Sequence, residues 1–525
     1  MVELTVAALD VGESAKFNGL GIRRIRIRRC APVPPMRRIH QAQMDPPAVR
    51  LAVGTPFHHK LLQNVFMPNR FAIVGAGFCG TVLAVNLLRR PPANLREIAL
   101  IERSPAMGRG VAYAIHDCPY LLNVPAGRLS ADSQEPLQFL RFAQRTLPHA
   151  DAEDFLPRQL YGDYLQDILF QTERETMRRI KLVRVFGEVT HISRGEADQP
   201  LTLRFAGREP IQAQRAILAL GNPPPPLLPW AEPVRDHPAY RDDPWTLPTN
   251  LNSEHDVLVI GNGLTMADVV FSLTRDAARA PRVRTISRRG LIPLPQSTFH
   301  ASAVRGGAEF FDNAVSIRQV LAASRALTRD IERLGGDWRE VVTFIRNSAP
   351  GIWQRLPEPE RRRFVRHLQS YWDVHRHRLP PQLATRLDGL RRRGMLEINA
   401  GRIDALAPEG DKLRVTWRRR GRARADMFVV DAAINATGPD YVLNRSRDPL
   451  LQSLCREGLV SADALQLGLR TTGHAACVAA DGSASERLFY LGPMLRAGHW
   501  EATAATELRN HAEALARHLA ADYGT

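Results

Sequence analysis

The amino-acid sequence predicts an α/β protein with two Rossmann-like domains, one inserted into the other. An apolar run that ends in Gly75, Gly77 and Gly80 leads into an amphipathic segment, which is the strand, turn and helix order of a dinucleotide-binding unit. A second apolar run ends in Gly261 and Gly263 and again leads into a helical segment. A chain of 525 residues is long enough to give each unit its own core.

The first 69 residues differ from the rest of the chain. They are basic and rich in proline and show no sustained apolar period, so we expect residues 1–69 to form a disordered N-terminal extension. The alternative is an over-called translation start, with the working protein beginning near Met44 or Met67. The sequence does not begin with a basic segment followed by an apolar core, so a secretory signal is not predicted.

Each glycine of the first unit has its own predicted role. Gly75 allows the tight turn, Gly77 lets the backbone approach a pyrophosphate, and Gly80 lets the helix pack closely on the strand. The next apolar run ends in Glu102, 22 residues after Gly80, where an acid is expected to bind a ribose 2′-hydroxyl. These four residues predict a dinucleotide site with its pyrophosphate at the helix N-terminus.

Segments punctuated by glycine and proline follow this unit. Gly108–Tyr113 and Leu121–Ala126 are expected to be loops that return to the nucleotide cleft, and within them we predict Arg109 and Asn123 to contact the cofactor. Beyond a predicted helix near 155–170 and strands over 181–205, another apolar run ends in glycine. The four prolines that follow break regular structure and predict a domain boundary.

The second unit differs from the first at two places. Met266 occupies the position of the third glycine, and the next strand ends in arginine rather than in an acid. An acid there would repel a 2′-phosphate, whereas arginine binds one bidentately. The alternative is that these arginines are solvated surface residues. The predicted NADPH-binding residues are Gly261, Gly263, Thr265, Arg288 and Arg289.

The remainder of the chain returns to the first type of domain. Residues 310–395 have helical periods, and two later apolar runs end at Gly438 and Gly492, which we also predict to contact a cofactor. A final helix is predicted from about Trp500 to Leu519, with its N-terminus toward a flavin. His375 and His377 are too close in sequence to share one helix face, so no metal site is predicted.

This order of parts predicts an insertion. Residues 70–250 and 401–525 are expected to form an FAD-binding domain, and residues 251–400 an inserted NAD(P)H-binding domain with a helical addition. One site would hold FAD tightly, and the other would receive NADPH, in preference to NADH, as a visiting reductant.

Composition excludes several other classes of protein. The formal net charge is +17, but the arginines that carry most of it are scattered, so nucleic-acid binding is not predicted. No apolar run reaches the length of a membrane span. The five cysteines form no C-x-x-C pair, which argues against a disulfide reductase and favours reduced thiols in the cytoplasm. The sequence does not indicate an oligomeric state.

Ten segments of the chain resemble one known family. Over about residues 68–520 the sequence is similar to the YdhS-like family of FAD/NAD(P)-binding proteins, which includes the FAD-dependent urate hydroxylase HpyO. More distantly it resembles flavin monooxygenases with two dinucleotide domains. The matching segments are Ile73–Gly80, Gly108–Tyr113, Leu122–Ala126, Pro157–Arg158, Tyr161–Gly162, Gly263–Asp268, Ser287–Pro293, Tyr371–Arg378, Gly492–Leu495 and Trp500–Thr503.

The resemblance implies a flavoprotein oxidoreductase. We expect an FAD-dependent, NADPH-using monooxygenase that hydroxylates a small polar metabolite with O₂, and urate is the first candidate substrate. The alternatives are a flavin reductase or oxidase that passes electrons to a partner or acceptor, and a flavin-binding regulator. Asn123 and Trp500 are predicted to border the flavin, and Arg158 to anchor an anionic substrate, although each could be a packing residue. Other candidate pocket residues are His300, His375 and His499.

Overall fold

The computed structural model describes residues 69–114, 118–176, 179–194, 199–297 and 309–521. These residues lie within the compact unit Phe66–Thr525. The predicted extension at residues 1–69 lies outside the described residues apart from Asn69, and the candidate pocket residue His300 lies outside them as well.

Strands and helices alternate along the described chain. The strands are β1 Arg70–Val74, β2 Glu97–Glu102, β3 Lys181–Phe186, β4 Val189–Ser193, β5 Leu201–Phe205, β6 Arg208–Ala213, β7 Arg215–Leu218, β8 Tyr240–Arg241, β9 Asp256–Ile260, β10 Arg282–Ser287, β11 Leu396–Glu409, β12 Lys412–Arg419, β13 Asp426–Val430, β14 Ala432–Asn435, β15 Ala476–Val478 and β16 Ala484–Tyr490. The helices are α1 Phe78–Arg89, α2 Gly110–Tyr113, α3 Gln138–Gln144, α4 Arg158–Thr176, α5 Leu264–Leu273, α6 Ile317–Arg333, α7 Trp338–Arg355, α8 Glu358–His367, α9 Gln369–Arg376, α10 Pro381–Arg392, α11 Pro449–Arg456 and α12 Ala505–Ala521.

The first sheet is built around β1. Its order is β15-β16-β7-β1-β2-β3, and all neighbouring strands are parallel except β15 and β16. Helices α4 and α12 both pack against α1, which follows β1. The strands at the centre are buried on both faces, which is why they appear in the sequence as uninterrupted apolar runs. A separate antiparallel sheet, β4-β5-β6, lies between β3 and β7 in sequence.

The second sheet repeats this plan around β9. Its order is β13-β12-β11-β10-β9-β14-β8, with parallel pairing from β11 to β8 and antiparallel pairing at β12 and β13. The glycine after each central strand makes the same hydrogen bond: Gly75 N–H donates to the Ile101 carbonyl at 2.9 Å, and Gly261 N–H to the Ile286 carbonyl at 2.9 Å. The prediction of two Rossmann-like units in an α/β protein is confirmed.

The extent of the second sheet differs from the predicted domain boundaries. Tyr240–Arg241 already pairs with β14, before the predicted boundary at residue 251. The other predicted boundary, between residues 400 and 401, falls inside β11, and the chain stays in the second sheet until Asn435. The reason is that β11 is one long strand that pairs first with β10 and then with β12, and strand pairing is not visible in local sequence.

The last helix begins later than predicted. It starts at Ala505, not near Trp500. In the preceding segment, the Ala502 N–H donates to the His499 carbonyl at 2.9 Å and the Thr503 N–H to the Glu501 carbonyl at 2.6 Å. These bonds form turns, and a helical ladder starts only beyond them. None of the described helices is both long and apolar enough to cross a membrane.

Candidate functional site

The first glycine turn contains glycines of two kinds. Gly75 has a φ of +105°, and a Cβ there would overlap the Ala219 carbonyl; a Cβ on Gly80 would overlap the Gly75 carbonyl. Gly77 differs, because its φ is −75° and the atom nearest to a Cβ would be the Gly110 Cα at 3.5 Å. The fold itself therefore requires Gly75 and Gly80, whereas beside Gly77 the protein leaves room that a ligand could occupy.

Glu102 lies at the end of β2, beside this turn. Its Oε2 accepts a hydrogen bond from the Ala76 N–H at 2.9 Å, and its Oε1 accepts one from the Ser104 N–H at 3.1 Å. The residue is 8% exposed. Glu102 thus holds the backbone of the glycine turn, and its contact with a ribose remains a prediction.

The segment around Arg109 covers the same turn. The Gly108 N–H donates to the Ala76 carbonyl at 2.7 Å, and Arg109 forms an ion pair with Asp163. The Arg109 Nη1 is buried and has no hydrogen-bond partner in the structure. An unused guanidinium donor next to an open glycine turn fits the phosphate of a dinucleotide.

The second glycine turn has the same open geometry. A Cβ on Gly261 would lie 2.5 Å from the Ala436 carbonyl, whereas a Cβ on Gly263 would have no atom within 4 Å. Between them, Asn262 is 5% exposed and neither its Oδ1 nor its Nδ2 has a partner. Met266, at the third glycine position, is fully buried. An empty position and an unpaired buried amide fit a second dinucleotide.

The two arginines at the end of β10 have different surroundings. Arg289 donates to the Ser370 hydroxyl at 2.6 Å and to the carbonyls of Arg366 and His367 at 3.2 and 3.3 Å. Arg288 is exposed, and no hydrogen bond or ion pair of its side chain is found within the described ranges. Of the two predicted contacts to a 2′-phosphate, the structure therefore leaves only Arg288 free to make one.

The other predicted cofactor contacts vary in their freedom. Thr265 lies half-buried in the first turn of α5. Gly438 has a φ of +85°, and a Cβ there would have no atom within 4 Å. A Cβ on Gly492 would approach the Tyr490 hydroxyl at 2.7 Å, so Gly492 is required by the packing of that buried tyrosine. Their contacts with cofactors remain predictions.

Arg158 is already paired. Its Nη2 lies 2.8 Å from the Asp268 Oδ2, and its Nε donates to the Leu121 carbonyl at 3.0 Å. Asp268 lies on α5 and is buried; burial raises the pKa of its carboxyl, and Arg158 opposes that shift. The pair joins α4, beside the first sheet, to α5, beside the second. Its charge is thus satisfied within the protein, contrary to the predicted role as an anchor for an anionic substrate.

Comparison with known proteins places these features in a family. A family model described as FAD-NAD(P)-binding matches residues 72–223, which include the first glycine turn, Glu102 and Arg109. Residues 72–223 are an FAD-NAD(P)-binding domain. No curated protein sequence matches this chain.

Solved structures share the whole architecture. The chain is similar to DfoA from Erwinia amylovora, the cadaverine monooxygenase of the desferrioxamine pathway, bound to FAD, at 13% identity and a TM-score of 0.58 over 86% of this chain and 94% of that one. It is also similar to the ornithine hydroxylase PvdA from Pseudomonas aeruginosa (14%, 0.57, 88% and 100%) and to L-lysine 6-monooxygenase from Pseudomonas syringae (17%, 0.58, 86% and 99%). At these identities the likeness shows a shared fold.

Trp500 lies in an aromatic cluster. It is 6% exposed, and its ring centroid lies 4.8 Å from those of Trp353 and Phe364, on α7 and α8. The Arg496 guanidinium lies 4.1 Å from the Trp500 centroid. Trp500 thus joins the C-terminal segment to the helical layer, and a border with the flavin remains a prediction. Asn123 is half-buried and accepts a hydrogen bond on its carbonyl from Gln296 at 3.4 Å.

Sequence reasoning missed a polar network on α9. The Glu501 carboxylate accepts hydrogen bonds from the Trp372 indole at 3.1 Å and from the Arg376 Nε at 2.8 Å. Next to it, burial raises the pKa of Asp373 to about 6. Burial, with Arg376 as the next cause, lowers the pKa of His377 to about 3. The run Trp372–His377 was the available sequence signal, but its partners lie far away in the chain.

The remaining candidate histidines have protein partners. The His375 Nδ1 lies 2.7 Å from the Tyr371 carbonyl, and its ring packs edge-on against Trp338 with centroids 5.1 Å apart. The His499 ring lies 4.6 Å from that of His511, and burial lowers the pKa of both. Within the described ranges, no group of three or more His, Cys, Asp or Glu residues could hold a metal ion.

The described cysteines are unpaired thiols. Burial raises the pKa of Cys79, which follows the first glycine turn, to about 12. It does the same for Cys477. Both are therefore protonated at neutral pH, and Cys79 packs in the core as a small apolar residue.

Proposed function

We propose that this chain is an FAD-dependent monooxygenase that uses NADPH and O₂ to hydroxylate a small polar metabolite. The observation that carries the proposal is the pair of open glycine turns. At Gly77 and at Gly263, each after the central strand of a parallel sheet, the protein leaves the space of a side chain unfilled. Nucleotides bind at this edge of such sheets.

The two turns differ in the cofactor that they suit. The first has Glu102 at the end of β2 and lies in the segment that matches the FAD-NAD(P)-binding family. The second has no acid at the end of β10 and has the exposed Arg288 there instead. A carboxylate accepts a hydrogen bond from a ribose hydroxyl, whereas a guanidinium binds a 2′-phosphate. We therefore assign FAD to the first turn and NADPH to the second.

The described side chains hold and orient these cofactors. The N-terminus of α1 and the Arg109 Nη1 would bind the FAD pyrophosphate, and Arg288 would bind the 2′-phosphate of NADPH. When bound, FAD supplies electron transfer from NADPH and the activation of O₂. Overall, NADPH, a proton, O₂ and the substrate give NADP⁺, water and the hydroxylated product. Cys79 and Cys477 are protonated, so neither supports a thiolate relay of the disulfide-reductase type.

The similar structures support a hydroxylation reaction. DfoA, PvdA and L-lysine 6-monooxygenase have the same two-sheet architecture and are named for the oxygenation of cadaverine, ornithine and lysine. Urate is the substrate suggested by the sequence resemblance. Because pocket contacts and not the fold determine the substrate, all four compounds belong in the first assay.

Isotope-labelled O₂ provides the test. We expect purified protein to contain about one FAD per chain and to oxidise NADPH faster than NADH. One of urate, ornithine, lysine or cadaverine, or a related metabolite, should gain a single labelled oxygen atom. The proposal fails if NADPH reduces the flavin and an artificial electron acceptor is readily reduced while no metabolite gains oxygen. In that case the chain is a flavin reductase.

A further inference from the structure

The guanidinium of Arg378 has no partner. Arg378 directly follows α9, and its Nε and Nη1 are buried without any hydrogen-bond acceptor. Within the described ranges the side chain forms no ion pair either. A guanidinium has five N–H donors and is always charged, so leaving it buried and unpaired costs free energy.

The acids near Arg378 bind other arginines. Asp337 contributes to the electrostatics of Arg378, but both of its oxygens accept hydrogen bonds from Arg339, at 3.0 and 2.7 Å. Arg376 is paired with Glu501 at 2.8 Å. Burial, followed by the positive charges of Arg339 and Arg376, lowers the pKa of Arg378 to about 10. This region therefore has one more cation than it has acids.

The aromatic neighbour of Arg378 does not compensate for this charge. The Arg378 guanidinium lies 5.8 Å from the centroid of the Trp338 ring, near the outer limit for a cation–π interaction. The Arg339 guanidinium lies closer to the same ring, at 4.5 Å. Trp338 therefore forms a wall beside Arg378, while a hydrogen-bond acceptor is still missing.

Arg378 lies at the seam between the two sheets. Its neighbour Leu379 exchanges backbone hydrogen bonds with the segment 294–296 at 2.8 and 2.9 Å. In that segment, the Gln296 side chain donates to the Asn123 carbonyl, which belongs to the loop after the first glycine turn. Arg128, on the same loop, contributes to the positive potential at Arg378. The unpaired guanidinium is thus next to the loop that we predict to border the flavin.

We propose that Arg378 binds the carboxylate, or an equivalent oxyanion, of the substrate, and that the substrate is therefore a small organic anion. A guanidinium binds a carboxylate through two parallel hydrogen bonds, which would satisfy the two buried nitrogens. Arg158 cannot serve as this anchor, because Asp268 already binds it. The inference rests on the proposed function, whose substrate it assigns to a chemical class.

Matched pairs of ligands and variants test this site. The probes are urate with neutral hypoxanthine, benzoate with benzamide, and succinate with succinamide. Binding is measured by the shift in thermal midpoint and by the change in flavin absorbance. Arg378→Met removes the charge and keeps a long apolar stem, and Arg378→Lys keeps the charge without the planar fork. Arg333→Met is the control, because Arg333 is exposed on α6 and pairs only with Asp330.

Wild-type protein should bind at least one anion more tightly than its neutral counterpart. Arg378→Met should weaken that binding by about ten- to a hundred-fold, the equivalent of a charge-assisted hydrogen bond. Arg378→Lys should retain part of the affinity, and Arg333→Met all of it. Without ligand, Arg378→Met should not lower the thermal midpoint, because it removes an unpaired buried charge. An arginine with only a structural role would show the opposite.

The result is separable from that of the proposed function. The flavin content of Arg378→Met and its rate of flavin reduction by NADPH should equal those of the wild type. The anion site is overturned if no anion binds, if neutral partners bind equally well, or if Arg378→Met binds the anion as tightly as the wild type. If the wild type lacks flavin or does not oxidise NADPH, while thermal shifts by anions depend on Arg378, the proposed function fails and the anion site stands.

Discussion

Two glycines three residues apart illustrate how single positions divide between fold and ligand. Gly80 is needed because a Cβ there would meet the Gly75 carbonyl, within the protein itself. Gly77 has a φ of −75°, which any residue adopts, and its nearest neighbour would lie at an ordinary distance. The reason for a glycine at position 77 therefore lies outside the protein chain, in the ligand.

Alanine substitutions should separate these roles. We expect Gly77→Ala to fold with a wild-type circular dichroism spectrum but to purify with less FAD, because the new methyl group occupies space meant for the pyrophosphate. Gly80→Ala should be unstable or insoluble, since its methyl group meets backbone atoms that cannot move aside. Full flavin occupancy in Gly77→Ala would contradict the assignment of the first site.

Arg288 and Arg289 should likewise respond differently to substitution. Arg288→Ala should raise the KM for NADPH by about ten- to a hundred-fold, through the loss of a charge-assisted phosphate contact, and leave the KM for NADH unchanged. Arg289→Ala should instead lower the thermal midpoint, because its guanidinium holds Ser370 and the carbonyls of Arg366 and His367. Steady-state kinetics with both cofactors provides the measurement. An equal effect of Arg288→Ala on the two cofactors would refute the NADPH site.

His377 should make the stability depend on pH. Its folded pKa of about 3 lies below the unfolded value of about 6.5. As the pH falls below 6.5, the unfolded chain therefore binds a proton that the folded chain excludes, and stability decreases. Asp373, whose pKa is raised to about 6, has the opposite effect between about pH 6 and pH 4.

The change His377→Asn should thus reduce the loss of stability between pH 7 and pH 5, and Asp373→Asn should increase it. Urea unfolding at a series of pH values measures both slopes. If the slope of His377→Asn equals that of the wild type, His377 is protonated in the fold and its proposed environment is wrong.

At the scale of elements, helix α9 acts as a connector. Its Arg376 and Trp372 bind Glu501 in the segment before α12, while the Arg289 side chain after β10 bonds to the residues that join α8 and α9. Helix α9 thereby links the second sheet to the C-terminal part of the first domain. Buried polar networks of this kind are costly when they lose one member.

Glu501→Gln should therefore be strongly destabilising. The change leaves the Arg376 guanidinium, whose side chain is 12% exposed, without its carboxylate, and we expect a loss of about 3 kcal/mol in the free energy of unfolding. The matched control is Glu358→Gln on α8, where the pair with Arg362 is about half-exposed and should contribute less than about 0.5 kcal/mol. Similar losses in the two variants would show that Glu501 does not connect these elements.

At the scale of the whole molecule, the two sheets are joined by the buried pair of Arg158 and Asp268. Aromatic side chains surround this pair: the Tyr120 ring centroid lies 5.8 Å from that of Trp245 and 6.4 Å from that of Phe271. The interface thus combines a charge pair with apolar packing. We expect the two sheets to unfold together because of it.

Asp268→Asn should uncouple them. Arg158 would retain the Leu121 carbonyl but lose its carboxylate, so differential scanning calorimetry should show two transitions where the wild type shows one. Glu173→Gln is the control, because its pair with Arg184 lies between α4 and β3 and thus within one domain. A single unchanged transition in Asp268→Asn would show that apolar contacts alone couple the sheets.

The sequence alone determined the central strands, both glycine turns and the acid at Glu102. Apolar runs, glycines and fixed spacings are local properties, and a parallel strand buried on both faces keeps its apolar pattern whatever its neighbours are. It also predicted the absence of an acid after β10. Only the tertiary structure decided that Arg289 binds the chain near α9, that Arg158 binds Asp268, and that Arg378 binds nothing.

Long-range pairing is the physical reason for this division. Glu501 meets α9, and β11 to β14 stay in the second sheet, through partners that are distant in sequence. An arginine has the same residue type whether a carboxylate faces it or not, and only the folded chain determines which charges are neutralised and which remain for a ligand.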